Sequence, residues 1–299
     1  AVASRGASST ASASKRCRST EMRMLTFAEF FSGCSRLTDA MRRLGWDVFC
    51  VEKDRAAAEA APPGRLVVKD FLELNPTDLP RLDCAHFSPD CTSNSRLRRN
   101  DGPNGFERRS EDNDWCGDLR DAKAKDFNNC LIKIIDIIRD QQDRPGNEDF
   151  KYTIEQPDGG KYPENHIAIL KHHCNAEVAQ LSFCRFHSGY IERVRGEELA
   201  GFCNKPSLLW TNCEELIEAC RGGFHRCARR DLTVPARARA SPCQFHLRHT
   251  EQGGGVRADR VGTKKFPHEL ALFLAQTFDR ECGERRYTRE TYARVRDSY

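Results

Sequence analysis

Short apolar runs separated by helical patterns dominate the first half of the chain. Runs that end at a polar residue or a proline occur at 25–31, 47–52, 66–68 and 82–87. Apolar runs of this length, bounded by turn residues, are typical of strands buried in a sheet. Between the first two runs, residues 37–44 predict a helix that ends at Gly45.

The second half continues this alternation after a polar, glycine-containing loop at 92–115. Apolar side chains then recur at helical spacing, at Phe127, Cys130, Leu131, Ile134, Ile135 and Ile138. Further strands are predicted at 152–155, 178–183 and 208–210. A last helical face, formed by Leu270, Phe273, Leu274 and Phe278, follows Pro267.

Strands that alternate with helices predict an α/β fold with a doubly wound, mostly parallel sheet. In such sheets the ligand binds outside the carboxyl ends of the strands. Five residues that carry chemistry fall at predicted strand ends: Gly33, Glu52, Asp70, Cys91 and Glu155. The coincidence predicts one functional site at that edge.

Composition divides the chain into five parts. We expect a tail at 1–24, the main α/β domain at 25–212, a small Cys/His-rich basic insertion at 213–262, a closing helix at 263–280 and a C-terminal tail at 281–299. The first twenty residues are rich in Ala and Ser and contain no acid. They resemble an organellar transit peptide, with a disordered tail as the alternative.

The cysteine count and the hydropathy indicate the compartment. The 299 residues include 15 cysteines, an odd number scattered through predicted strands and helices, which favours reduced, packed thiols. We therefore expect a nuclear or cytoplasmic protein, or an organellar one if residues 1–24 are a transit peptide. No run approaches the roughly 18 apolar residues that cross a bilayer, so no membrane partner is expected.

Basic residues cluster although the net charge is only +4. Between 221 and 239 there are six arginines and a histidine against one acid, and a second cluster comprises Arg96, Arg98, Arg99, Arg108 and Arg109. Either cluster alone is explained equally well by solvated loops. Two of them near one candidate site favour a phosphate backbone as partner.

The turn after the first strand has the layout of a nucleoside site. Phe31-Ser32-Gly33 precedes the first helix, and Glu52, nineteen residues after Gly33, can accept from ribose hydroxyls. One glycine does not cradle a pyrophosphate, so S-adenosylmethionine fits better than a dinucleotide. Phe31 would lie against the adenine, and Asp70 would accept its amino group. The alternative is an ordinary turn with a surface glutamate.

The other strand ends provide a thiol and a carboxyl group. A thiolate that attacks carbon 6 of cytosine activates carbon 5 for methyl transfer, and an acid at ring nitrogen 3 assists. Cys91, near arginines and loop amides, is the candidate nucleophile, and Glu155 is the nitrogen-3 partner. The base must be flipped out of its duplex. The alternatives are a packing cysteine and an ion-paired glutamate.

In order and spacing these motifs resemble the DNA cytosine-5 methyltransferases, particularly the small phage-type enzymes. Three segments carry the resemblance: Glu29-Phe30-Phe31-Ser32-Gly33, Ser88-Pro89-Asp90-Cys91 and Glu155-Gln156-Pro157. Segments 183–186, 205–212 and 262–278 resemble later motifs. The resemblance implies a Rossmann-like methyltransferase fold, Arg185 as a residue that steadies the flipped base, and Pro89 as part of the cofactor site.

The implied function is methyl transfer from S-adenosylmethionine to carbon 5 of cytosine by a monomer acting on double-stranded DNA. Cys34-Ser35, Asp90 and Gln156 depart from the family pattern. These departures keep two alternatives open: a DNA-binding protein with the fold but without turnover, and an RNA cytosine-5 methyltransferase.

The basic insertion corresponds by position to the family's target-recognition region. Seven potential metal ligands lie in it: Cys213, Cys220, His225, Cys227, Cys243, His246 and His249. The spacing Cys243-x-x-His246-x-x-His249 suits zinc, with Cys220 or Cys227 as a fourth ligand, although no Cys-x-x-Cys pair is present. A basic loop is the alternative, and we assign no metal to the catalytic site.

Overall fold

The computed structural model describes residues 23–33, 35–54, 65–90, 109–158, 162–183, 186, 191–194, 197–200, 206–221 and 267–283. The strands are β1 (Thr26–Phe30), β2 (Asp47–Glu52), β3 (Arg65–Val68), β4 (Cys84–Phe87), β5 (Lys151–Pro157), β6 (Glu177–Ser182), β7 (Ile191–Val194), β8 (Glu197–Ala200) and β9 (Pro206–Thr211). The α-helices are α1 (Arg36–Arg43), α2 (Ala122–Asp143), α3 (Glu164–His173), α4 (Glu214–Cys220) and α5 (His268–Gly283). Three short 3-10 helices occupy Phe71–Glu73, Pro76–Asp78 and Glu111–Asn113.

Seven strands form one sheet in the order β3-β2-β1-β4-β5-β9-β6. Strands β3, β2, β1, β4 and β5 are parallel neighbours, and β9 runs antiparallel to both β5 and β6. The chain order reverses between β1 and β4, and the crevice outside their carboxyl ends is where ligands bind in open α/β sheets. The predicted fold class, a doubly wound and mostly parallel sheet, is confirmed.

The sheet has an apolar core on each face. Along β1, Phe27 packs in one core and Ala28 in the other, as the period of two along a strand requires. The first core includes residues of α1, α4 and α5, and the second includes residues of α2 and α3. Helices on both faces bury the apolar side chains of the central parallel strands, whereas Val68 on the edge strand β3 is 52% exposed.

The predicted strands and the longest helix are present, with their ends moved by a few residues. Helix α2 starts at Ala122, because the Asp121 side chain accepts from the Lys123 amide at 3.1 Å and caps the first turn. Helix α3 was not predicted, because Leu170 is its one fully buried residue and no apolar stripe marks it. The antiparallel pair β7–β8 was not predicted either.

The boundaries around the basic insertion differ from the expected ones. Cys213, Leu216 and Cys220 pack in the core with α1 and α5, so this core extends past residue 212 to the end of α4. Helix α5 ends at Gly283 and not at 280. Its last turn is held by Glu281, which pairs with Lys151 at 2.8 Å and accepts from the Glu215 amide at 2.9 Å. In the part of the chain with assigned positions, no helix is long and apolar enough to cross a bilayer.

Candidate active site

The turn between β1 and α1 is attached to the end of β2. The Gly33 amide donates to Oε2 of Glu52 at 2.8 Å, and the Asp54 amide donates to Oε1 at 2.9 Å. Gly33 has φ +50°, a conformation that glycine adopts without steric cost. A Cβ built at this position meets nothing within 4 Å, so the space beside the turn is open. Gly33 and Glu52, which were predicted to lie at one edge of the sheet, are in direct contact, and their roles toward a cofactor stay predictions.

Two further predicted residues lie at the same edge. The Phe31 ring is 4.5 Å from the ring of Phe71, centroid to centroid. Asp70 precedes Phe71 and caps its 3-10 helix, because Oδ1 accepts from the Leu72 amide at 3.0 Å. Ser32 is 6% exposed, and its hydroxyl has no hydrogen-bond partner among the positioned residues. Phe31, Ser32, Gly33, Glu52 and Asp70 thus belong to one local structure.

A buried acid lies beneath this turn. Glu29, on β1, is 6% exposed and accepts from the Thr38 amide at 2.8 Å and from the Thr38 hydroxyl. Burial is the main cause that raises the pKa of Glu29 to about 7; the hydrogen bonds from Thr38 oppose the rise, and the nearby charge of Glu52 adds to it. Glu29 therefore links β1 to the first turn of α1. Its carboxyl group gains or loses its proton near neutral pH.

The Glu155 carboxyl group lies where the ends of β4 and β5 meet the start of β9. The Ser88 hydroxyl donates to Oε2 at 3.1 Å, and the Ser207 hydroxyl donates to Oε1 at 2.7 Å. Glu155 is 3% exposed. The two hydroxyls fix the plane of the carboxyl group through both of its oxygens.

Ser88 and its neighbours connect this carboxyl group to the switch point of the sheet, the place between β1 and β4 where the chain order reverses. The Ser88 amide donates to the Phe30 carbonyl at 3.3 Å, which holds the end of β4 beside the end of β1. The buried Gln156 donates through Nε2 to the Pro89 carbonyl at 3.4 Å. Pro89 is therefore held at the start of the segment that carries Cys91.

Three polar residues that the sequence patterns did not identify hold the side chains around Glu155 and at the ends of β4 and β5. Ser88 and Ser207 bond Glu155, and the buried His86 lies 2.6 Å from the Thr153 hydroxyl through Nδ1. The available signal was polar side chains two residues apart within otherwise apolar runs, at His86 and Ser88 and again at Thr153 and Glu155.

Two predicted catalytic residues, Cys91 and Arg185, lie outside the described residues. The predicted zinc ligands after Cys220 also lie outside them, and among the positioned residues no group of three or more His, Cys, Asp or Glu side chains is arranged to hold a metal. Burial raises the pKa of the Cys50 and Cys130 thiols to about 12 and that of Cys174 to about 11. These three thiols stay protonated at neutral pH and act as packing groups, as expected.

One member of the predicted basic clusters has a structural role. Arg109 is 8% exposed and donates to the Trp115 carbonyl at 2.6 Å and to Oδ1 of Asn128 at 2.8 Å. Its guanidinium carbon lies 5.1 Å from the centre of the Phe127 ring. Its Nη1 and Nη2 donors are used inside the fold, so Arg109 has a structural role. The other members of this cluster lie outside the described residues, and a contact of the basic clusters with a phosphate backbone stays a prediction.

The solved structures that are similar to this chain include three methyltransferases of low sequence identity. S. pombe Dnmt2 methyltransferase is 14% identical with a TM-score of 0.38, covering 63% of this chain and 49% of that chain. A mutant of Spodoptera frugiperda DNMT2 is 19% identical with a TM-score of 0.37, covering 62% and 49%. Magnesium protoporphyrin IX methyltransferase of Synechocystis PCC 6803, solved with bound SAM, is 9% identical with a TM-score of 0.32, covering 64% and 71%.

The chain spans about half the length of the two Dnmt2 proteins. No protein-family model matches the sequence, and no curated protein matches it. Because each of these TM-scores is below 0.5, the fold assignment rests on the order and direction of the strands.

Proposed function

We propose that the protein transfers a methyl group from S-adenosylmethionine to carbon 5 of cytosine in DNA. One observation carries the proposal. The switch point of the sheet places the Gly33–Glu52 turn at the ends of β1 and β2, and the Glu155 carboxyl group at the ends of β4 and β5. In this proposal the turn holds the nucleoside cofactor and Glu155 acts on the pyrimidine ring, at the same edge of the sheet.

The residues of the turn fit a nucleoside cofactor. Each Glu52 oxygen accepts one backbone hydrogen bond and keeps a second lone pair for a ribose hydroxyl. The buried Ser32 hydroxyl, which lacks a partner among the positioned residues, and the open space beside Gly33 suit a ligand at this turn. Phe31 offers a face for an adenine. When bound, S-adenosylmethionine supplies an electrophilic methyl group.

The proposed mechanism uses Cys91 and Glu155 on one pyrimidine ring. The Cys91 thiolate forms a bond to carbon 6, and the electron pair of the 5,6 double bond becomes available at carbon 5 while Glu155, as the protonated acid, donates a hydrogen bond to nitrogen 3. Carbon 5 takes the methyl group as the bond between that group and the cofactor's sulfur breaks, which would leave S-adenosylhomocysteine. A solvent base then removes the proton from carbon 5, and the carbon–sulfur bond to Cys91 breaks, which restores the 5,6 double bond and the Cys91 thiolate.

Ser88 and Ser207 act as positioning residues in this proposal. They hold both oxygens of Glu155, so the carboxyl plane is set before the base arrives. Gln156 holds the Pro89 carbonyl and thereby fixes the start of the segment with the nucleophile. Arg185 would steady the flipped base.

The proposal is tested by methyl incorporation from labelled S-adenosylmethionine into double-stranded DNA and into RNA. We expect label at carbon 5 of cytosine with the intact chain, much slower incorporation with Glu155→Gln, and none with Cys91→Ala. A matched control is Cys130→Ala, which removes a thiol that burial keeps protonated. Label in RNA alone would select the RNA enzyme, and turnover by Cys91→Ala would remove the nucleophile assignment.

A second candidate function is a nucleic-acid-binding protein that retains the fold without turnover. It is favoured by Glu155, which is 3% exposed with both oxygens hydrogen-bonded, and by Asp90, whose negative charge beside Cys91 disfavours a thiolate. DNA binding that weakens with salt, together with no methyl transfer, would select this candidate. This outcome does not depend on whether the protein binds S-adenosylmethionine.

A further inference from the structure

An open groove of about 530 Å³ lies along α3 on the sheet face that packs against α2. We call it the aromatic groove, and six of the residues that line it are Trp115, Tyr162, Ile167, Lys171, His172 and Trp210. None of these has a role in the proposed methyl transfer. The groove is roomy enough for a small planar ligand.

Three aromatic rings form its walls. The Tyr162 and Trp210 rings are 6.3 Å apart and stand at 81° to each other. The third ring, Trp115, is half-buried, and its indole nitrogen donates to Oε1 of Glu164 at 3.1 Å. These two rings meet edge to face, one of the arrangements that aromatic pairs prefer.

The segment that presents Trp115 is held in a strained conformation. Asp114 and Trp115 have φ +49° and +59°, which L residues rarely adopt in succession. Arg109 donates to the Trp115 carbonyl at 2.6 Å, and Asn128 donates to the Cys116 carbonyl at 3.0 Å. Strain that the surroundings impose in this way is concentrated at ligand sites in proteins.

The polar groups of the groove select the kind of ligand. Trp210 is 7% exposed, and its indole nitrogen is buried with no hydrogen-bond partner among the positioned residues. That group only donates, so it requires an acceptor. The Lys171 ammonium lies 5.8 Å from the Trp210 ring centre, and His172 lies beside it. A cationic ligand is disfavoured because this cation already faces the ring.

We propose that the aromatic groove binds an unpaired base of the nucleic-acid substrate. A nucleobase supplies a flat face for stacking and ring acceptors for the Trp210 nitrogen, and the adjoining phosphate suits Lys171. That the bound nucleic acid is also the substrate depends on the proposed function. Binding of an unpaired base in the groove does not depend on it. The groove would hold a base displaced from pairing while another occupies the catalytic crevice.

Tryptophan fluorescence tests the proposal directly, because two of the three tryptophans line the groove. The third, Trp46, is 3% exposed and bonds Asp279, so Trp46→Phe leaves only groove reporters. In that background we expect single-stranded oligonucleotides of about ten residues to quench the emission. The same sequence as a blunt duplex should quench less, and adenosine monophosphate should bind much more weakly than the strand.

Variants separate stacking, donation and charge. Trp115→Ala or Tyr162→Ala should weaken single-strand binding roughly 5- to 100-fold, the range for loss of one base–aromatic stack, while Trp115→Phe should weaken it less. Trp210→Phe should keep stacking but lose the donor, with a melting curve to confirm folding. Lys171→Gln should weaken binding and its salt dependence more than Lys125→Gln, which removes an exposed lysine outside the groove.

Two results would overturn the inference: no quenching by any single strand, or equal binding by Trp115→Ala, Tyr162→Ala and the parent. Quenching by adenosine monophosphate as strong as by the strand would make the groove a free-nucleotide site and overturn it also. Single-strand quenching without methyl transfer would support the groove and remove the proposed catalysis. If the protein transfers methyl groups, Trp115→Ala has an unchanged KM and no strand quenches the emission, the proposed catalysis would be supported and the groove proposal would be removed.

Discussion

The Ser207 hydroxyl donates to Oε1 of Glu155 over 2.7 Å, across the antiparallel pair of β5 and β9. This contact depends on the one strand that runs opposite to the rest of the sheet. The antiparallel pairing places Ser207 opposite Pro157, so its side chain reaches back to the carboxyl group two residues earlier. The reversed strand thus completes the setting of the proposed catalytic acid.

Loss of the Ser207 hydroxyl should therefore slow the proposed reaction. Ser207→Ala leaves Oε1 of the buried Glu155 without this donor, and we expect kcat to fall roughly 10-fold or more, the range for a hydrogen bond to a charged group. Ser207→Thr keeps a hydroxyl and should fall less. The comparison uses steady-state methyl transfer with the melting temperature as a check of folding. Equal kcat in Ser207→Ala and the parent would remove the positioning role.

A side chain added at Gly33 has enough space, but the backbone conformation of this residue disfavours any residue other than glycine. Gly33→Ala meets no neighbour within 4 Å, yet φ +50° costs an L residue about 1–2 kcal/mol. We expect S-adenosylmethionine binding, measured by calorimetry, to weaken roughly 5- to 30-fold if this strain moves the amide from Glu52. Gly33→Asn should weaken it less, because asparagine adopts this conformation more readily. Unchanged affinity in Gly33→Ala would show that the turn is not part of the cofactor site.

Glu29 predicts a pH dependence of stability. Its pKa is raised from 4.5 to about 7 in the folded protein, so its contribution to stability is fully present below 4.5 and is lost as the pH rises through 7. Between about pH 5 and about pH 8 the intact protein should lose about 2–3 kcal/mol relative to Glu29→Gln. Urea unfolding at several pH values measures this difference. Parallel curves for the two proteins would contradict it.

Arg109 predicts a stability cost without a direct role in phosphate binding. Arg109→Lys cannot reproduce the separate bonds to the Trp115 carbonyl and to Asn128, and we expect about 2 kcal/mol of destabilisation. The control is Arg120→Lys, since Arg120 is largely exposed and pairs with Asp118. If Arg109→Lys kept the parent stability but lowered the salt dependence of DNA binding, Arg109 would have a phosphate role instead.

The sequence predicted those parts of the fold that leave a periodic mark. Strands β1, β2 and β4 are apolar runs because their side chains pack into a core on each face of the sheet, and α2 carries an apolar stripe because one of its faces packs on the sheet. Helix α3 has a single fully buried residue, so no stripe identified it. Helix α4 belongs to a stretch whose basic and Cys/His-rich composition concealed the two core residues of the helix, Leu216 and Cys220.

Within the candidate site, a contact between residues at the ends of neighbouring parallel strands could be predicted from the sequence. A contact that depends on the direction of a strand could not. Gly33 and Glu52 end adjacent parallel strands, so their contact followed from the fold class. The Ser207–Glu155 contact requires knowledge that β9 is inserted antiparallel between β5 and β6. The aromatic groove joins Trp115, Tyr162 and Trp210 from three distant segments, and no local pattern relates them.

The most direct test of the central claim is covalent trapping on DNA that contains 5-fluorocytosine. Fluorine at carbon 5 cannot leave as a proton does, so a Cys91 adduct that has accepted the methyl group should persist through denaturing electrophoresis. With S-adenosylmethionine, the account predicts a trapped complex for the intact chain, a much slower one for Glu155→Gln and none for Cys91→Ala. Trapping that survives Cys91→Ala, or methyl transfer to unmodified DNA without any trapped species, would contradict it.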